Sequence, residues 1–495
     1  MAIRFRRSIV WFRRDLRLDD HAALERAALE SEEVVCAFVL DPALLRSDRV
    51  GPAIVAFFFD ALAELRRTLR ERGGELVLLQ GDFATELAAL AQRVEAGALY
   101  YNGDLDPAAS SRDERVRRQL ESRGVRVHEL NDLTYYAPPE VVQPSGAPYV
   151  VFTPFRRRWL ARQAEDPRPP RDSGRALARK ALGTSALEAA GVAPRDVPAP
   201  GDFGHAVSGE FPAGGEARGR ALLEAFVARR AAGYAGARNL PALDGTSHLS
   251  PHLRAGTVGI RRCLHRALEA REATRGAPNG FDTWISELIW REFYQHILAH
   301  FPRVASEPFV AAAKRLPWRD DERDWAAWRD ARTGYPIVDA GLRQLERTGW
   351  MHNRVRMIVA SFLTKDLLLD YRLGERHFEQ RLADADLAAN NGGWQWSAST
   401  GTDAAPYFRV FNPVLQSRKF DPDGVYLRTW LPELSKLDAH GIHEPWTVAP
   451  LELEAAGVRL GRDYPQPLVD HFAARERALA AFGPVLGKTA RSVKS

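Results

Sequence analysis

The chain has 495 residues, which is long for a single hydrophobic core, so we expect two domains and a connector. The proportions of hydrophobic residues, 45%, and of charged residues, 27%, are ordinary for a soluble globular protein. The net charge of +5 is compatible with a polyanionic partner but is too small to identify one.

The two cysteines, Cys36 and Cys263, lie far apart in the sequence, which excludes a disulfide framework and a cysteine-based metal site. The N-terminus lacks an apolar run long enough for a signal peptide. No stretch approaches the roughly 20 apolar residues of a membrane span. We therefore expect a cytoplasmic protein that has no membrane partner.

Short apolar runs rich in β-formers alternate with helical patterns in residues 1–130. The runs are residues 9–12, 34–39, 76–79, 98–101 and 125–128. Helical spacing is found at residues 21–30, 53–72, 84–94 and 108–123, with Asp19 or Asp20 as the predicted cap of the first helix. The alternation predicts a parallel sheet flanked by helices, an α/β domain that binds ligands at the carboxyl ends of its strands.

Residues 131–215 are rich in proline and glycine and predict a long connector on the surface. Its basic run, Arg156–Arg158, has two interpretations, a contact to a polyanion or a solvated face. From residue 216 onward the pattern is helical, with no alternating strand after Leu222. We expect an all-α domain at residues 216–487 and a basic tail at residues 488–495.

Three motifs were tested and give no support for a site. No G-x-G-x-x-G run follows a predicted strand. Residues 483–489 resemble a phosphate-binding loop but are one residue short and follow no strand. His248 and His252 have i, i+4 spacing, but Pro251 lies between them and the glutamate of a zinc-protease helix is absent. We predict no metal site.

Helical spacing from residue 284 places Glu287, Trp290, Arg291 and Tyr294 on one face. One interpretation is a surface Glu287–Arg291 ion pair beside two packing aromatics, and the other is a functional face. Ten of the 12 tryptophans lie after residue 280, a density that asks for a role in packing, stacking or electron transfer.

A second helix is predicted from about residue 350, with Asn353 and Met357 one turn apart. Arg356 is expected to pair with Asp384 or Asp386 and to anchor a cofactor-binding turn. In residues 390–396, two glycines stand beside Trp394 and Trp396, an arrangement that lets a flat group approach the backbone.

Taken together, these segments resemble the DNA photolyase/cryptochrome family, most closely the class I cyclobutane pyrimidine dimer photolyases. The matching segments are residues 9–21, 287–294, 333–340, 349–357 and 384–411, in the family order and over nearly the whole chain. The resemblance implies a Rossmann-like α/β antenna domain (1–130), a linker (131–215) and an all-α FAD-binding domain (216–487).

The resemblance also implies the residues that bind FAD. The expected diphosphate contacts are Tyr234, Thr246, Ser247, His248, Leu249 and Ser250. The pocket lining and the turn near the ribose and the flavin ring are expected to come from Trp284, Arg291, Arg356, Asp384, Ala385 and Asp386. Asn390 matches the residue that faces flavin N5, where an amide can donate or accept a hydrogen bond.

The implied activity is light-driven DNA repair, in which excited FADH⁻ lends an electron to a flipped-out cyclobutane pyrimidine dimer and the dimer splits. Trp290 and Trp396 are the expected stacking walls, Glu287 and Asn353 the hydrogen-bond partners, and Met357 a packing contact. The expected DNA contacts are Arg238, Asn353, Arg354 and Gln416. Asn353 stands where the (6-4) branch of the family has a histidine.

Two other classes of protein were weighed. A non-catalytic cryptochrome photoreceptor shares the fold and FAD, but Asn390 and the complete repair set disfavour it. A nucleotide-binding α/β protein without photochemistry accounts for the first 130 residues only. We expect the partner to be DNA that contains pyrimidine dimers, and the protein to be a monomer.

Two positions depart from the family pattern. The photoreduction chain would be Trp394, Tyr371 and Trp318, with a tyrosine in the middle where the family has a tryptophan. Oxidation of tyrosine requires loss of a proton, so electron transfer is expected to be slower, rerouted or absent. Ala108 and Ala109 replace the Asn-Glu pair of folate-binding members, which disfavours a folate antenna and leaves a deazaflavin, another flavin or no antenna open.

Overall fold

The computed structural model describes residues 3–274, 276 and 278–487. The predicted basic tail, residues 488–495, lies outside the described residues. The chain divides into two compact units. The first unit comprises Met1–Ala232, Ser247–Pro302 and Ala383–Asp386, and the second comprises Gly233–Thr246, Arg303–Leu382 and Leu387–Ser495.

A parallel sheet forms the core of the first unit. Its strands are β1 (Phe5–Phe12), β2 (Ser31–Leu40), β3 (Leu76–Gln80), β4 (Ala98–Asn102) and β5 (Arg126–Leu130), in the order β3-β2-β1-β4-β5. All neighbouring strands pair in parallel. A parallel strand that is covered on both faces must be apolar throughout. The apolar run at residues 9–12 meets this requirement, because all four residues of the central strand are fully buried. The predicted α/β fold is confirmed.

Helices make up most of the remaining described chain. The α-helices are α1 (Ala22–Glu30), α2 (Pro42–Leu45), α3 (Pro52–Glu71), α4 (Phe83–Arg93), α5 (Pro107–Glu121), α6 (Phe152–Glu165), α7 (Ser173–Ala176), α8 (Thr184–Ala189), α9 (Glu216–Arg229), α10 (Tyr234–Ala237), α11 (Ser250–Ala255), α12 (Ile260–Ala273), α13 (Pro278–His300), α14 (Glu322–Arg329), α15 (Pro336–Thr348), α16 (Asn353–Ser361), α17 (Tyr371–Arg381), α18 (Leu387–Ser397), α19 (Pro413–Phe420), α20 (Val425–Trp430), α21 (Pro450–Ala456) and α22 (His471–Leu486). A π-helical turn, Phe362–Asp366, follows α16. The short 3₁₀ turns are Pro138–Glu140, Pro200–Phe203, Ala231–Gly233, Pro302–Ala305, Ala311–Arg315, Pro432–Leu434, Gly441–His443 and Pro445–Thr447.

The cap of α1 differs from the prediction. His21, and neither Asp19 nor Asp20, is the N-cap, and its Nδ1 accepts a hydrogen bond of 3.0 Å from the Leu24 backbone N–H. Asp20 instead lies in the left-handed region, at φ 55°, and its carboxylate accepts the backbone N–H of Arg171. The carboxylate is therefore used in tertiary structure and is not available to the helix end.

Part of the predicted surface connector is buried. The apolar side chains of α6, Phe152, Phe155 and Trp159, have exposed fractions of 7%, 2% and 2%. The Trp159 indole N–H donates to Glu292 Oε2 at 2.6 Å, and α6 packs on α13. The prediction that this segment lies on the surface is wrong at α6. The arginines between its apolar residues obscure the pattern of an amphipathic helix in the sequence.

The second unit is helical throughout its described part, which contains no strand beyond isolated bridges. Residues 333–340, one of the segments that resemble the family, have a structural role at the start of α15. Asp339 is fully buried and accepts hydrogen bonds from the Thr333 backbone N–H (2.8 Å), the Thr333 hydroxyl (2.7 Å) and the Tyr464 hydroxyl (2.6 Å). This network fixes the start of α15.

Candidate active site

One face of α13 carries the aromatic residues expected at the site. Trp284 is 2% exposed and packs on Phe226, with ring centroids 4.8 Å apart. Trp290 is partly exposed, and one face of its ring stacks on Phe152 at 3.7 Å. Tyr294 lies 5.6 Å from Trp290. Trp290 is therefore held in a fixed orientation by the chain itself.

The Glu287–Arg291 ion pair does not form among the described residues. The Arg291 guanidinium donates instead to the backbone carbonyls of Leu133 (2.7 Å) and Leu253 (3.4 Å). Burial lowers the pKa of Arg291. The interpretation as a surface pair is wrong because the Arg291 side chain turns inward and forms charge-assisted hydrogen bonds to these two carbonyls.

Asp386 is the polar anchor of the turn formed by residues 384–386. It is 7% exposed, forms an ion pair with Arg14, and accepts the side-chain amide N–H of Gln295 at 3.0 Å. Arg254 Nε donates to the Ala385 carbonyl. The turn is thereby tied to β1, α11 and α13 within the first unit. Sequence reasoning missed Arg14, Gln295 and Arg254, although Arg14 lies inside the matching segment at residues 9–21.

Several buried donors have no hydrogen-bond partner in the described protein. Among them are the Thr246 hydroxyl in the second unit and Arg254 Nη1 in the first. Burial, together with the positive charge of nearby Arg14, lowers the pKa of Arg254 to about 10. Just after Thr246 the chain turns through His248, at φ 53°, before α11 begins at Ser250. A buried polar group without a partner costs about 1–3 kcal/mol, and a bound ligand that accepts its hydrogen bond would remove that cost.

Helices α16 and α18 pack on each other in the second unit and carry three of the predicted site residues. Asn353, at the start of α16, is exposed, and Met357 is partly exposed one turn later. Trp396 on α18 is partly exposed and makes no ring contact within the described residues. The Trp396 indole is therefore partly reached by solvent and is not stacked on another aromatic ring of the described chain.

Asn390 is oriented by α17. Its side-chain N–H donates to the Glu375 backbone carbonyl at 2.9 Å, which leaves the amide oxygen as an acceptor. Asn391 donates to the Glu375 carboxyl oxygen, also at 2.9 Å. Burial raises the pKa of Glu375 to about 7. Glu375 has no sequence signal of its own, because its two partners lie 15 and 16 residues away.

Gly392 and Gly393, which were expected to let a flat group approach the backbone, lie inside the regular helix α18. A Cβ atom added at Gly393 would meet no heavy atom of the described chain within 4 Å. The glycine therefore leaves open space on this side of the helix.

The ring contacts differ between the two steps of the predicted electron chain. Trp318 and Tyr371 lie 6.5 Å apart by ring centroids, but within the described residues Trp394 has no ring contact with Tyr371. The neighbours of Trp394 are Phe378 at 5.0 Å and Trp328 at 6.2 Å.

Three arginines of the second unit lie close together. Burial lowers the pKa of Arg354, and the positive charges of Arg238 and Arg409 lower it further. Arg354 is held by Asn239 Oδ1, at 2.8 Å from Nη2, and by the ring of Phe420, 4.4 Å from its guanidinium carbon. No carboxylate contributes to its pKa, so the cluster is suited to an external anion. Gln416, the fourth predicted DNA contact, is partly exposed on α19.

Polar residues collect at the carboxyl ends of β1 and β4. The residues around a small cavity there are Arg13, Arg14, Asp15, Asn102, Gly103, Asp104, Asp132 and Leu133. Although burial acts in the opposite direction, Arg14 and Arg13 hold the pKa of Asp104 below its usual range. Ala108 and Ala109 lie in the first turn of α5.

Among residues 3–274, 276 and 278–487, no three His, Cys, Asp or Glu side chains form a set that could hold a metal ion. His252 is buried against Thr257, whose hydroxyl oxygen lies 2.7 Å from its Nδ1, and burial lowers its pKa to about 4. Likewise, no helix in the described part of the chain has the length and apolar character to cross a membrane.

Residues 8–172 match the family model for DNA photolyase, and residues 284–484 match the model for the FAD binding domain of DNA photolyase. A deoxyribodipyrimidine photo-lyase of Synechococcus sp. is 42% identical over 94% of this chain and 93% of its own. A bacterial class III photolyase from Agrobacterium tumefaciens has a TM-score of 0.87 at 37% identity, covering 98% of both chains. A Synechocystis cryptochrome has a TM-score of 0.86 at 28% identity, covering 97% of this chain and 99% of its own.

These matches confirm the fold class and the FAD-binding character that were predicted from sequence. Because they extend over both the sheet and the helices and include a relative 42% identical over nearly the full length, the chain belongs to the DNA photolyase family.

Proposed function

We propose that this chain is a light-driven deoxyribodipyrimidine photo-lyase that splits cyclobutane pyrimidine dimers in DNA. The observation that carries the proposal is the pair of packed helices α16 and α18, which present an exposed amide, a partly exposed thioether and a partly exposed indole. A flipped pyrimidine dimer requires hydrogen bonds to its base edges and flat apolar walls. A photoreceptor without a DNA substrate has no such requirement.

The residues present fit FAD as the cofactor. The Thr246 hydroxyl, buried and without a protein partner, is a donor of the kind that a diphosphate oxygen accepts. The free amide oxygen of Asn390 is an acceptor for a ring N–H. The proposed FAD contacts of the first unit are Ser247, His248, Leu249, Ser250, Trp284, Arg291, Asp384, Ala385 and Asp386. Those of the second unit are Tyr234, Thr246, Arg356 and Asn390.

When bound and reduced, FAD supplies the light-excited electron that opens the dimer and takes the electron back. The chain's own side chains bind and orient. Glu287 and Asn353 hydrogen-bond to the base edges, while Trp290 and Trp396 stack and exclude water. Met357 fills the remaining apolar contact, since a thioether adapts to an irregular surface.

Arg238, Arg354 and Gln416 contact the DNA backbone in this proposal. Phosphate contacts of this kind fix the position of a protein on DNA without reading its sequence. The partner is DNA that contains pyrimidine dimers, bound by one copy of the chain in the cytoplasm. Residues 1–130 would serve as the antenna domain, residues 131–215 as the linker and residues 216–487 as the catalytic domain.

The test is to incubate the reduced, FAD-loaded protein with DNA containing thymine dimers, in blue light and in the dark, and to measure dimer loss. We expect loss only in light. Trp396→Ala should weaken dimer binding by about tenfold, because a stacked base contact contributes about 1–3 kcal/mol. Trp430→Phe, a partly exposed tryptophan on α20, is the matched control. If the dimers remain in blue light as they do in the dark, although reduced FAD is bound, the proposal is contradicted.

A further inference from the structure

We infer that the electrons that reduce the flavin in light reach Trp394 through Trp328 and Trp325, and not through Tyr371 and Trp318. This inference rests on the proposed function, because it takes Trp394 as the donor next to the flavin. It concerns how the active reduced state is reached and is separate from dimer splitting.

The rings of the second unit form a continuous series to solvent. Trp394 is 3% exposed, and its ring lies 6.2 Å from that of Trp328, which is fully buried. Trp328 stacks on Trp325 with centroids 5.4 Å apart and planes at 21°. Trp325 is partly exposed on α14. The series thus runs from a buried donor, through one buried ring, to a ring that water and a small reductant can reach.

Trp394 is placed toward this series by a glycine. A Cβ atom added at Gly374, on α17, would lie 2.1 Å from the Trp394 ring, so only glycine allows the indole to rest there. The same helix begins with Tyr371. The Trp394 ring therefore lies over the glycine one turn later and does not meet the tyrosine ring.

Tyr371 is poorly suited to carry the electron. Oxidation of a phenol becomes accessible when its proton can leave, and the Tyr371 hydroxyl has no hydrogen-bond partner among the described residues. The residue is 2% exposed, and burial raises the pKa of its hydroxyl further. A tryptophan carries the electron as a cation without needing to release its proton.

The surroundings of the two routes also differ in charge. Beside Trp328 lies His377, with ring centroids 5.5 Å apart, and burial lowers the pKa of His377 to about 4, so it is neutral near pH 7. On the other route, Lys365 Nζ lies 3.5 Å from the centre of the Phe482 ring, which is 5.6 Å from Trp318. Burial lowers the pKa of Lys365 to about 7, so any positive charge it keeps opposes a second positive charge on Trp318.

In this route Trp394 would give one electron to the light-excited oxidised flavin, Trp328 would refill Trp394, and Trp325 would refill Trp328. Oxidised Trp325 releases its indole proton to water, and an external thiol then returns a hydrogen atom to it. Two such rounds, with one proton from water, give the reduced flavin, and the two thiyl radicals combine to a disulfide.

The test measures flavin photoreduction in the FAD-loaded protein with a thiol, beginning from the oxidised state. Trp328→Phe and Trp325→Phe should each slow photoreduction by at least about tenfold, equivalent to ~1.4 kcal/mol in the barrier. Tyr371→Phe should change it by less than about twofold. Trp446→Phe, a tryptophan packed on Tyr335, is the matched control. The reverse pattern, with Tyr371→Phe slow and Trp325→Phe unchanged, would overturn the inference.

A spectroscopic readout identifies the radical directly. The light-induced EPR signal should narrow when the protein contains ring-deuterated tryptophan and should be unaffected by ring-deuterated tyrosine. Narrowing with the tyrosine label would overturn the inference. If Trp328→Phe does not fold, because it loses the indole N–H bond to the Val359 carbonyl, the partly exposed Trp325→Phe decides alone.

The two proposals fail in different ways. Protein that is reduced chemically needs no relay, so Trp325→Phe should then repair dimers as fast as the unaltered chain. Absence of repair by both the unaltered chain and Trp325→Phe would contradict the proposed function. The photoreduction rates and the EPR labels would still test the electron route through Trp328 and Trp325.

Discussion

Single residues at this site are tuned by burial. Glu375 is the clearest case, because it holds both Asn390, through its backbone carbonyl, and Asn391, through its carboxyl group. The raised pKa of Glu375 reduces the negative charge beside the residues expected to contact the flavin. Neither amide partner identifies Glu375 in the sequence, since the contact depends on how α17 and α18 pack.

The first prediction concerns the pH dependence of stability. Burial raises the pKa of Glu375 from 4.5 to about 7, so the folded protein keeps a proton that the unfolded chain has released between those values. Stability therefore falls as pH rises through this window, and Glu375→Gln removes the fall. The quantity to compare is the free energy of unfolding of the variant minus that of the unaltered chain. We expect this difference to be higher at pH 8 than at pH 5 by roughly 2 kcal/mol, a figure reduced for the partial exposure of Glu375.

The measurement is urea unfolding of flavin-free protein at both pH values. Glu454→Gln, an exposed glutamate on α21, is the control and should show no such difference. Equal effects of Glu375→Gln at the two pH values would show that the carboxyl group is ionised throughout.

At the scale of elements, the strands and long helices were predictable because their hydrophobic period is visible in short windows. The apolar runs lie within β1 to β4, and the last run overlaps β5, at Arg126–Leu130. Helix α6 was missed as a buried element because its apolar residues are separated by arginines. Helix α18 forms although asparagine and glycine have low helix propensity, because its packing overrides that preference.

The second prediction concerns the junction of α6 and α13. Glu292 accepts the Trp159 indole N–H at 2.6 Å and the Tyr135 backbone N–H, and all three residues are buried. Glu292→Ala would leave both donors without an acceptor, so we expect a loss of about 2–5 kcal/mol in the free energy of unfolding. Glu165→Ala, exposed on α6, should cost less than about 0.5 kcal/mol. A small effect of Glu292→Ala in urea unfolding would mean that water replaces the carboxylate.

The third prediction concerns α18. Gly393 lies in a helix and has open space where a Cβ atom would stand, so Gly393→Ala should stabilise the flavin-free chain by about 1 kcal/mol. If a ligand occupies this space, the same change weakens binding of FAD or of dimer-containing DNA. Thermal unfolding and binding titrations separate the two effects, and stabilisation with unchanged binding of both would assign the glycine no role in recognition.

At the scale of the whole molecule, composition restricted the answer only loosely. A net charge of +5 does not locate a surface, whereas folding brings Arg238, Arg354 and Arg409 together from three separate stretches of sequence. Site residues within the matching segments could be proposed from sequence. Their partners Gln295 and Glu375, which lie outside those segments, could not, because they act through contacts distant in the chain.

The fourth prediction concerns salt. DNA affinity should fall linearly with the logarithm of salt concentration, and Arg354→Gln should reduce the slope by about 1, because one phosphate contact is lost. Arg462→Gln, an exposed arginine paired with Asp463, is the control and should leave the slope unchanged. Fluorescence anisotropy with a short duplex at several salt concentrations gives both slopes. An unchanged slope for Arg354→Gln would remove it from the phosphate contacts.

The first unit is assembled from three separate stretches, and the last of them is only the four residues Ala383–Asp386. A ribosome must therefore synthesise more than three-quarters of the protein before Asp386 can meet Arg14 and Gln295. Until then Arg14 lacks one of its two carboxylate partners. The sheet-containing unit therefore cannot be completed during translation until helices of the other unit have been synthesised. For the same reason, dividing the gene at a single point yields neither unit intact.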